Sequence, residues 1–279
     1  MSADRVLRCG RHAFDLARPR IMGVLNVTPN SFSDGGRYFN PARALDHARR
    51  MIDDGADLID VGGESTRPGA LPVDERDELG RVIPLVAALA ADGVPVSVDT
   101  RKPAVMRAAL AAGAAMVNDV CALEAPGAIE ALAGSGAGVC LMHMQGDPRT
   151  MQQAPRYGDV VGEVRAYLLA RAATCEAAGI ARDRIVLDPG FGFGKTLAHN
   201  LALLAGLPAL AAAGYPVLAG LSRKSSLGEI TGRAVDERLA ASLAAALAAV
   251  ARGVRLLRVH DVRETVDALK VWLAVEAAA

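Results

Sequence analysis

The chain has 279 residues, with 31 Lys and Arg against 31 Asp and Glu, so its formal net charge is zero. Such a balance leaves no footprint for nucleic acid or an acidic membrane surface. At 52% hydrophobic and 22% charged residues the chain can bury a large core and is not disordered.

The first 19 residues lack the apolar centre of a signal peptide. The longest apolar run, residues 239–251, is too short for a bilayer, which takes about 20 residues. Cys9, Cys121, Cys140 and Cys175 form neither a CxxC pair nor a zinc spacing. The expectation is a cytoplasmic protein with free thiols, partnered by neither membrane nor nucleic acid.

In chain order, residues 5–17 are expected to form a short hairpin, followed by eight apolar runs of strand type. These are residues 21–25, 58–61, 94–98, 115–118, 138–142, 185–187, 216–220 and 255–259. Most are continuous runs and not alternating ones, as a parallel strand covered on both faces requires. Helical patterns lie between them at residues 41–54, 74–91, 103–112, 159–178 and 235–251. Pro41 and Pro103 suit first helical turns, and Gly55, Gly93, Gly113, Gly179 and Gly214 suit left-handed C-caps. In the last pattern Leu239, Leu243, Leu247 and Val250 make one stripe, expected to pack into the core, with a subunit interface as second choice. Eight alternations predict a single-domain (β/α)8 TIM barrel over residues 1–279; a doubly wound open sheet is the alternative.

In such barrels the chemistry sits at the C-terminal ends of the strands. Here each strand end carries polar residues after an apolar run: Asn26, Asp60, Asp99, Asn118, His143, Asp188, Ser222 with Lys224, and Arg258 with His260. Buried ionisable groups cost several kcal/mol unless paired or bound, so eight on one rim define a site. Asp99, Asn118, Asp188 and Lys224 offer donors and acceptors for a flat heterocycle with an amide-like edge. Arg258 and His260 share one strand face and, with Arg67, suit a phosphate or pyrophosphate. Residues 27–38 and 62–73 are long enough to act as lids. The blander readings are that Asp188 caps a turn, Asp99 belongs to a surface cap, Asn118 holds a loop and Lys224 is solvated. His143 reads as structural, Asp60 and Asp119 as supporting partners, and Cys121 and Cys140 as packing residues.

Residues 190–196 end in Gly-Lys-Thr, but Pro189 stands where a P-loop needs its first glycine. Lys195 likewise replaces the third glycine of a dinucleotide fingerprint. The histidines form no metal triad, and Ser222 and Ser225 have no adjacent base.

The rim sequences together resemble the dihydropteroate synthases. Residues 22–36 (MGVLNVTPNSFSDGG) look like the first signature of that family and residues 60–69 (DVGGESTRPG) like the second. Residues 188–195 (DPGFGFGK), 222–225 (SRKS) and 258–260 (RVH) match the later ones in order. The resemblance implies a barrel that joins a dihydropterin pyrophosphate to p-aminobenzoate, releasing pyrophosphate. It implies that Asp99, Asn118, Asp188 and Lys224 hold the pterin, and that Thr66, Arg258 and His260 meet the pyrophosphate. Asn26 would ligate Mg2+. The p-aminobenzoate would lie beside Arg67, Pro68, Phe193 and Ser225. Asp34, Lys224 and Arg258 would carry the chemistry, in a homodimer. One departure is Asn30, where many members carry Asp. The alternatives are a methyltetrahydrofolate methyltransferase, which shares the pterin-binding barrel, and a pterin-binding paralogue without turnover.

Overall fold

A strand continuous in apolar residues needs cover on both faces, and each of the eight runs finds it. The computed structural model describes residues 6–27, 40–65, 69–147 and 149–278. Strands β1 (Val6–Cys9) and β2 (His12–Asp15) form the antiparallel N-terminal hairpin, turning at Gly10 with φ +58°. The other strands are β3 (Arg20–Asn26), β4 (Leu58–Gly62), β5 (Val96–Asp99), β6 (Met116–Asp119), β7 (Gly138–Met142), β8 (Ile185–Asp188), β9 (Leu218–Ala219) and β10 (Leu256–Val259). They pair in parallel in the order β8-β7-β6-β5-β4-β3-β10-β9. A parallel bridge from Leu187 to Val217, with Leu187 N donating to Pro216 O at 2.9 Å, joins the two ends. Closure leaves no sheet edge and excludes the open, doubly wound alternative.

The helices are α1 (Pro41–Asp53), α2 (Glu75–Ala91), α3 (Pro103–Ala111), α4 (Ala128–Ala133), α5 (Val160–Ala177), α6 (Leu197–Ala211), α7 (Ser225–Thr231), α8 (Leu239–Val250) and α9 (Val262–Glu276). Local chemistry sets several of their starts. The side chains of Asn40, Asp74 and Asp159 accept from the backbone N–H of Arg43, Arg76 and Gly162, and Thr196 with His199 forms a capping box. All five predicted C-cap glycines have positive φ, between +79° and +104°.

The segment expected as one helix over residues 235–251 divides. Val235–Glu237 is a single 3-10 turn, and α8 starts after Arg238. Arg238 uses its guanidinium to bond the carbonyls of Arg233 and Arg223, which holds the break open. The leucine stripe is only in part the core face. Ser242, Ala245, Ala246, Ala249 and Val250 are buried, whereas Leu239 is 37% exposed and Leu243 and Leu247 are half-buried. Small side chains allow α8 a close approach to the barrel; of the stripe, Val250 is buried and Leu247 packs against the core, while Leu239 is exposed.

Period-two alternation inside the barrel positions the site. Met22, Leu58, Met116, Cys140, Val186, Leu218 and Leu256 join Leu7, Cys9, Phe14 and Leu16 of the hairpin in one apolar cluster, the barrel floor. Each fully buried leucine or methionine there contributes about 1.5–3 kcal/mol. Two residues further along their strands, on the same side, stand Asp60, Asn118, Asp188 and Arg258. The floor therefore ends where the polar rim begins.

Candidate active site

The centre of the rim is the guanidinium of Arg258 on β10. Its Nε donates to Asp60 Oδ2 at 2.6 Å, and its Nη2 donates to Asp99 Oδ2 at 2.8 Å. Asn118 Nδ2 donates to the same Asp60 oxygen at 3.1 Å. Strands β4, β5, β6 and β10 thus converge on one hydrogen-bonded cluster, with Asp60 wholly buried and Asp99 8% exposed. Burial alone would lower the pKa of Arg258, but the Asp60 and Asp99 carboxylates raise it above its ordinary value. Burial raises Asp99 above the usual carboxylate range; Arg258 opposes the rise and Asp60 adds to it. Asp60 Oδ1 is buried without a hydrogen-bond partner.

On the opposite side of the rim, Asp188 ends β8 and is 6% exposed. Its Oδ1 accepts from Gly190 N at 2.7 Å, so it does cap its turn, yet burial raises its pKa. Lys224, at the N-cap of α7, is half-buried, not fully solvated, and its Nζ stands 4.2 Å from the centre of the Phe193 ring. Gly192 lies behind that ammonium; a Cβ there would come within 3.3 Å of Lys224 Cδ. Arg223, between Ser222 and Lys224, has φ +58°, a strained value for a residue with a side chain. Its guanidinium pairs with both oxygens of Asp261, and its N–H donates to Ser242 Oγ at 3.0 Å. Ser222 in turn meets His260, with Oγ 3.1 Å from Nδ1. The rims of β9 and β10 are therefore stitched together.

Of the predicted residues, Asp99, Asn118, Asp188, Lys224 and Arg258 gather on this rim, with Phe193 against Lys224 and His260 beside Ser222. Asn26 ends β3, partly exposed and in register with Gly62. Ser225 opens α7 and is exposed. Asp34, Thr66, Arg67, Pro68 and Asn30 lie outside the described residues. Asp99 is no surface cap: it is buried and bonded to Arg258, and the N-cap of α3 is Lys102, with no side-chain cap, its N–H donating to Thr100 Oγ1 at 3.2 Å. Asp119 supports the β6 turn by accepting from Cys121 N and Leu123 N, both at 2.8 Å.

Two features escaped the sequence reading. Lys195 is 3% exposed and bonded to His143, a residue read as structural. Lys102 bridges Glu64, in the loop after β4, at 2.5 Å and the buried Glu78, while Glu64 also accepts from Arg101 and Val73 N. Burial would raise Glu64, but Lys102, Val73 and Arg101 together hold its pKa below the usual value. Glu64 was visible inside the second signature, but nothing local marked Glu78 as its partner. Among the described residues no group of three or more His, Cys, Asp or Glu could by itself hold a metal ion.

A closed barrel with buried carboxylates, an arginine and a lysine around its C-terminal mouth is the architecture of a (β/α)8-barrel enzyme. The chain belongs to the pterin binding enzyme family, whose model matches residues 22–260. It is 55% identical over 280 aligned positions to the dihydropteroate synthase of Neisseria meningitidis serogroup B, with 98% of each chain covered. A solved dihydropteroate synthase of Xanthomonas albilineans with 4-aminobenzoic acid superposes with a TM-score of 0.92, at 55% identity and 98% coverage of both chains. The Burkholderia cenocepacia dihydropteroate synthase complexed with 7,8-dihydropteroate gives 0.90 at 55% identity, covering 98% of this chain and 97% of that one.

Proposed function

We propose that this protein condenses (7,8-dihydropterin-6-yl)methyl diphosphate with p-aminobenzoate, giving 7,8-dihydropteroate and pyrophosphate in folate synthesis. The observation that carries the reading is the buried cluster of Asp60, Asp99, Asn118 and Arg258 facing Asp188 and Lys224, in a chain so similar along its length to enzymes of that name.

The pterin carries an amide and an amino-pyrimidine edge, so it needs carboxylate acceptors and a cation placed in one plane. Asp99, Asp188 and Asn118 accept from and donate to that edge, and Lys224 meets a ring acceptor. Binding exchanges the water these buried groups would otherwise need for fixed partners. Arg258 gives its Nε proton to Asp60 and one Nη2 proton to Asp99, and a guanidinium has three further N–H donors, on Nη1 and Nη2, to offer the ligand. With His260 and Thr66 it receives the pyrophosphate.

The dihydropterin stabilises positive charge on its exocyclic carbon, so the C–O bond breaks before the amine attacks. The released pair of electrons leaves on pyrophosphate. The amine nitrogen of p-aminobenzoate then bonds that carbon and gives its proton to the departing pyrophosphate or to water. The protein's contribution is electrostatic and positional: Arg258 disperses the leaving group's charge, Lys224 orients the ring, and Asp34 is the carboxylate assigned to offset the developing cation. Phe193, Arg67, Pro68 and Ser225 hold the p-aminobenzoate at the mouth. No covalent enzyme intermediate is required.

Asn26 offers one neutral oxygen from the β3 rim, with no acidic cluster beside it among the described residues. That donor set fits Mg2+, which keeps several waters and takes substrate phosphates as ligands. When bound, Mg2+ supplies charge neutralisation on the pyrophosphate oxygens.

Ile230, Val235 and Leu239 are exposed large hydrophobics on and beside α7 and α8, which suits a homodimer interface there. No helix among the described residues is long and apolar enough to cross a membrane. Its four cysteines are free, which fits a reducing cytoplasm.

The direct test is pyrophosphate release on mixing both substrates with Mg2+. Release that depends on p-aminobenzoate supports the reading; pterin binding without that dependence removes it.

A further inference from the structure

Resting on the function proposed above, we infer that Lys195 is a positioning residue: it ties the β7 rim to the turn at residues 190–194 and thereby sets the place of Phe193 and, through that ring, of Lys224. Lys195 follows a glycine-rich turn, where a lysine would ordinarily reach for solvent, yet it is 3% exposed. Its Nζ stands 3.0 Å from His143 Nδ1, 3.3 Å from His143 O and 3.0 Å from Phe193 O. Three acceptors for three ammonium protons is a complete set, and one of them is the carbonyl of Phe193 itself.

Everything else around the turn reads as part of the same clamp. Gln152 Nε2 donates to Gly192 O at 2.5 Å, and Tyr157 Oη donates to Gly194 O at 2.9 Å. Gly192 N donates to Asn200 Oδ1 at 2.8 Å. Gly190 and Gly194 have φ of +68° and +62°; a Cβ on either would come within 2.4 Å of the His143 or Gln145 carbonyl. Tyr157 and Tyr167 flank His143, the latter edge-on at 5.0 Å between ring centres. The segment after β7 thus grips the segment after β8, and Lys195 is the ammonium that crosses between them. Phe193 leaves the clamp on the pocket side, with Lys224 Nζ 4.2 Å from its ring centre.

The tie holds in either protonation state. Burial pulls the pKa of Lys195 down to about 7. Burial and the adjacent Lys195 pull that of His143 down to about 3, so its imidazole is neutral. An ammonium donates to Nδ1 and both carbonyls; an amine donates to both carbonyls and accepts from Nδ1–H. Lys195 is therefore a fastening and not a proton carrier.

The test labels the protein with fluorophenylalanine, which marks five positions, and assigns the Phe193 19F signal by its loss in Phe193→Leu. In Lys195→Met the Phe193 signal moves while the other four stay. The KM for p-aminobenzoate rises about tenfold, equivalent to about 1.4 kcal/mol, and that for the pterin pyrophosphate changes less than about twofold. Lys195→Gln keeps two donors, so it recovers most of the loss, and it carries the test if Lys195→Met does not fold. In a Phe193→Ala background either substitution adds less than about twofold. A Phe193 signal that stays in place, or an equal KM penalty in both backgrounds, overturns the proposal. Wild-type protein that forms no dihydropteroate refutes the functional reading alone, and the 19F shift then still decides whether Lys195 places Phe193.

Discussion

Arg258 and Asp99, 159 positions apart in the chain, meet at 2.8 Å through Nη2 and Oδ2. The contact matters because Asp60 occupies Nε of the same guanidinium at 2.6 Å. One cation thereby bridges two buried carboxylates in a pocket where a third, Asp188, stands close enough to raise the pKa of Arg258 further. The pocket is held ready for a ligand before any ligand enters.

Replacing Arg258 by Ala strands Asp60 and Asp99. Breaking a buried pair by removing one partner costs about 3–5 kcal/mol, so the melting temperature should fall. Adding Asp60→Asn should recover part of that fall. Isothermal titration should also show the pterin pyrophosphate weakened at least about tenfold more than the free pterin, about 1.4 kcal/mol. Equal losses for both ligands would remove Arg258 from the leaving group.

Asp188→Ala and Lys224→Ala should abolish measurable pterin binding while circular dichroism reports a folded barrel. Both side chains stand on the rim, above the apolar floor that carries the stability. Unchanged pterin affinity in either variant would refute the assigned pocket.

His143 gives a pH signature. Its folded pKa, lowered to about 3 by burial and by Lys195, lies below the unfolded value of about 6.5. The neutral form is favoured by folding, so its stabilisation is complete above about pH 6.5 and is lost as pH falls toward 3. His143→Asn keeps an acceptor for Lys195 and has no such titration. Between pH 7 and pH 4.5 the wild type should therefore lose about 2 kcal/mol relative to the variant. Parallel pH profiles of unfolding free energy would contradict a buried neutral His143.

Chelation should stop turnover and added Mg2+ should restore it. In Asn26→Ala the Mg2+ concentration for half-maximal rate should rise several-fold. Free pterin, which carries no pyrophosphate, should bind both proteins equally. A Mg2+ dependence identical in the two proteins would take Asn26 out of the metal site.

Most of the rim was legible because the barrel imposes period two on each strand. Asp60, Asn118, Asp188 and Arg258 each follow a floor residue by two positions, so an apolar run that ends in a polar or charged residue announces both the strand and its pocket end. Lys195 was not legible. Its burial depends on Gln152, Tyr157 and His143, which lie 37 to 52 positions from their partners around the turn, and no local pattern encodes that packing. Glu78 was hidden for a similar reason: it reads as an acidic first-turn residue of α2, and only Lys102, 24 positions away, turns it inward. The division of residues 235–251 also escaped, because the Ala-rich run is helical throughout by propensity, and it is Arg238 that breaks it by bonding the carbonyls of Arg233 and Arg223. The leucine stripe was only partly right: Val250 is buried and Leu247 packs against the core, but Leu239 is exposed and most of the buried face is Ser242 and alanines.

The measurement that bears most directly on the central claim is a product balance. Purified protein is given Mg2+, (7,8-dihydropterin-6-yl)methyl diphosphate and p-aminobenzoate, and pyrophosphate and 7,8-dihydropteroate are followed together. The account predicts equal amounts of both, rising in step and dependent on p-aminobenzoate. Pterin bound tightly at the rim with neither product formed would contradict it.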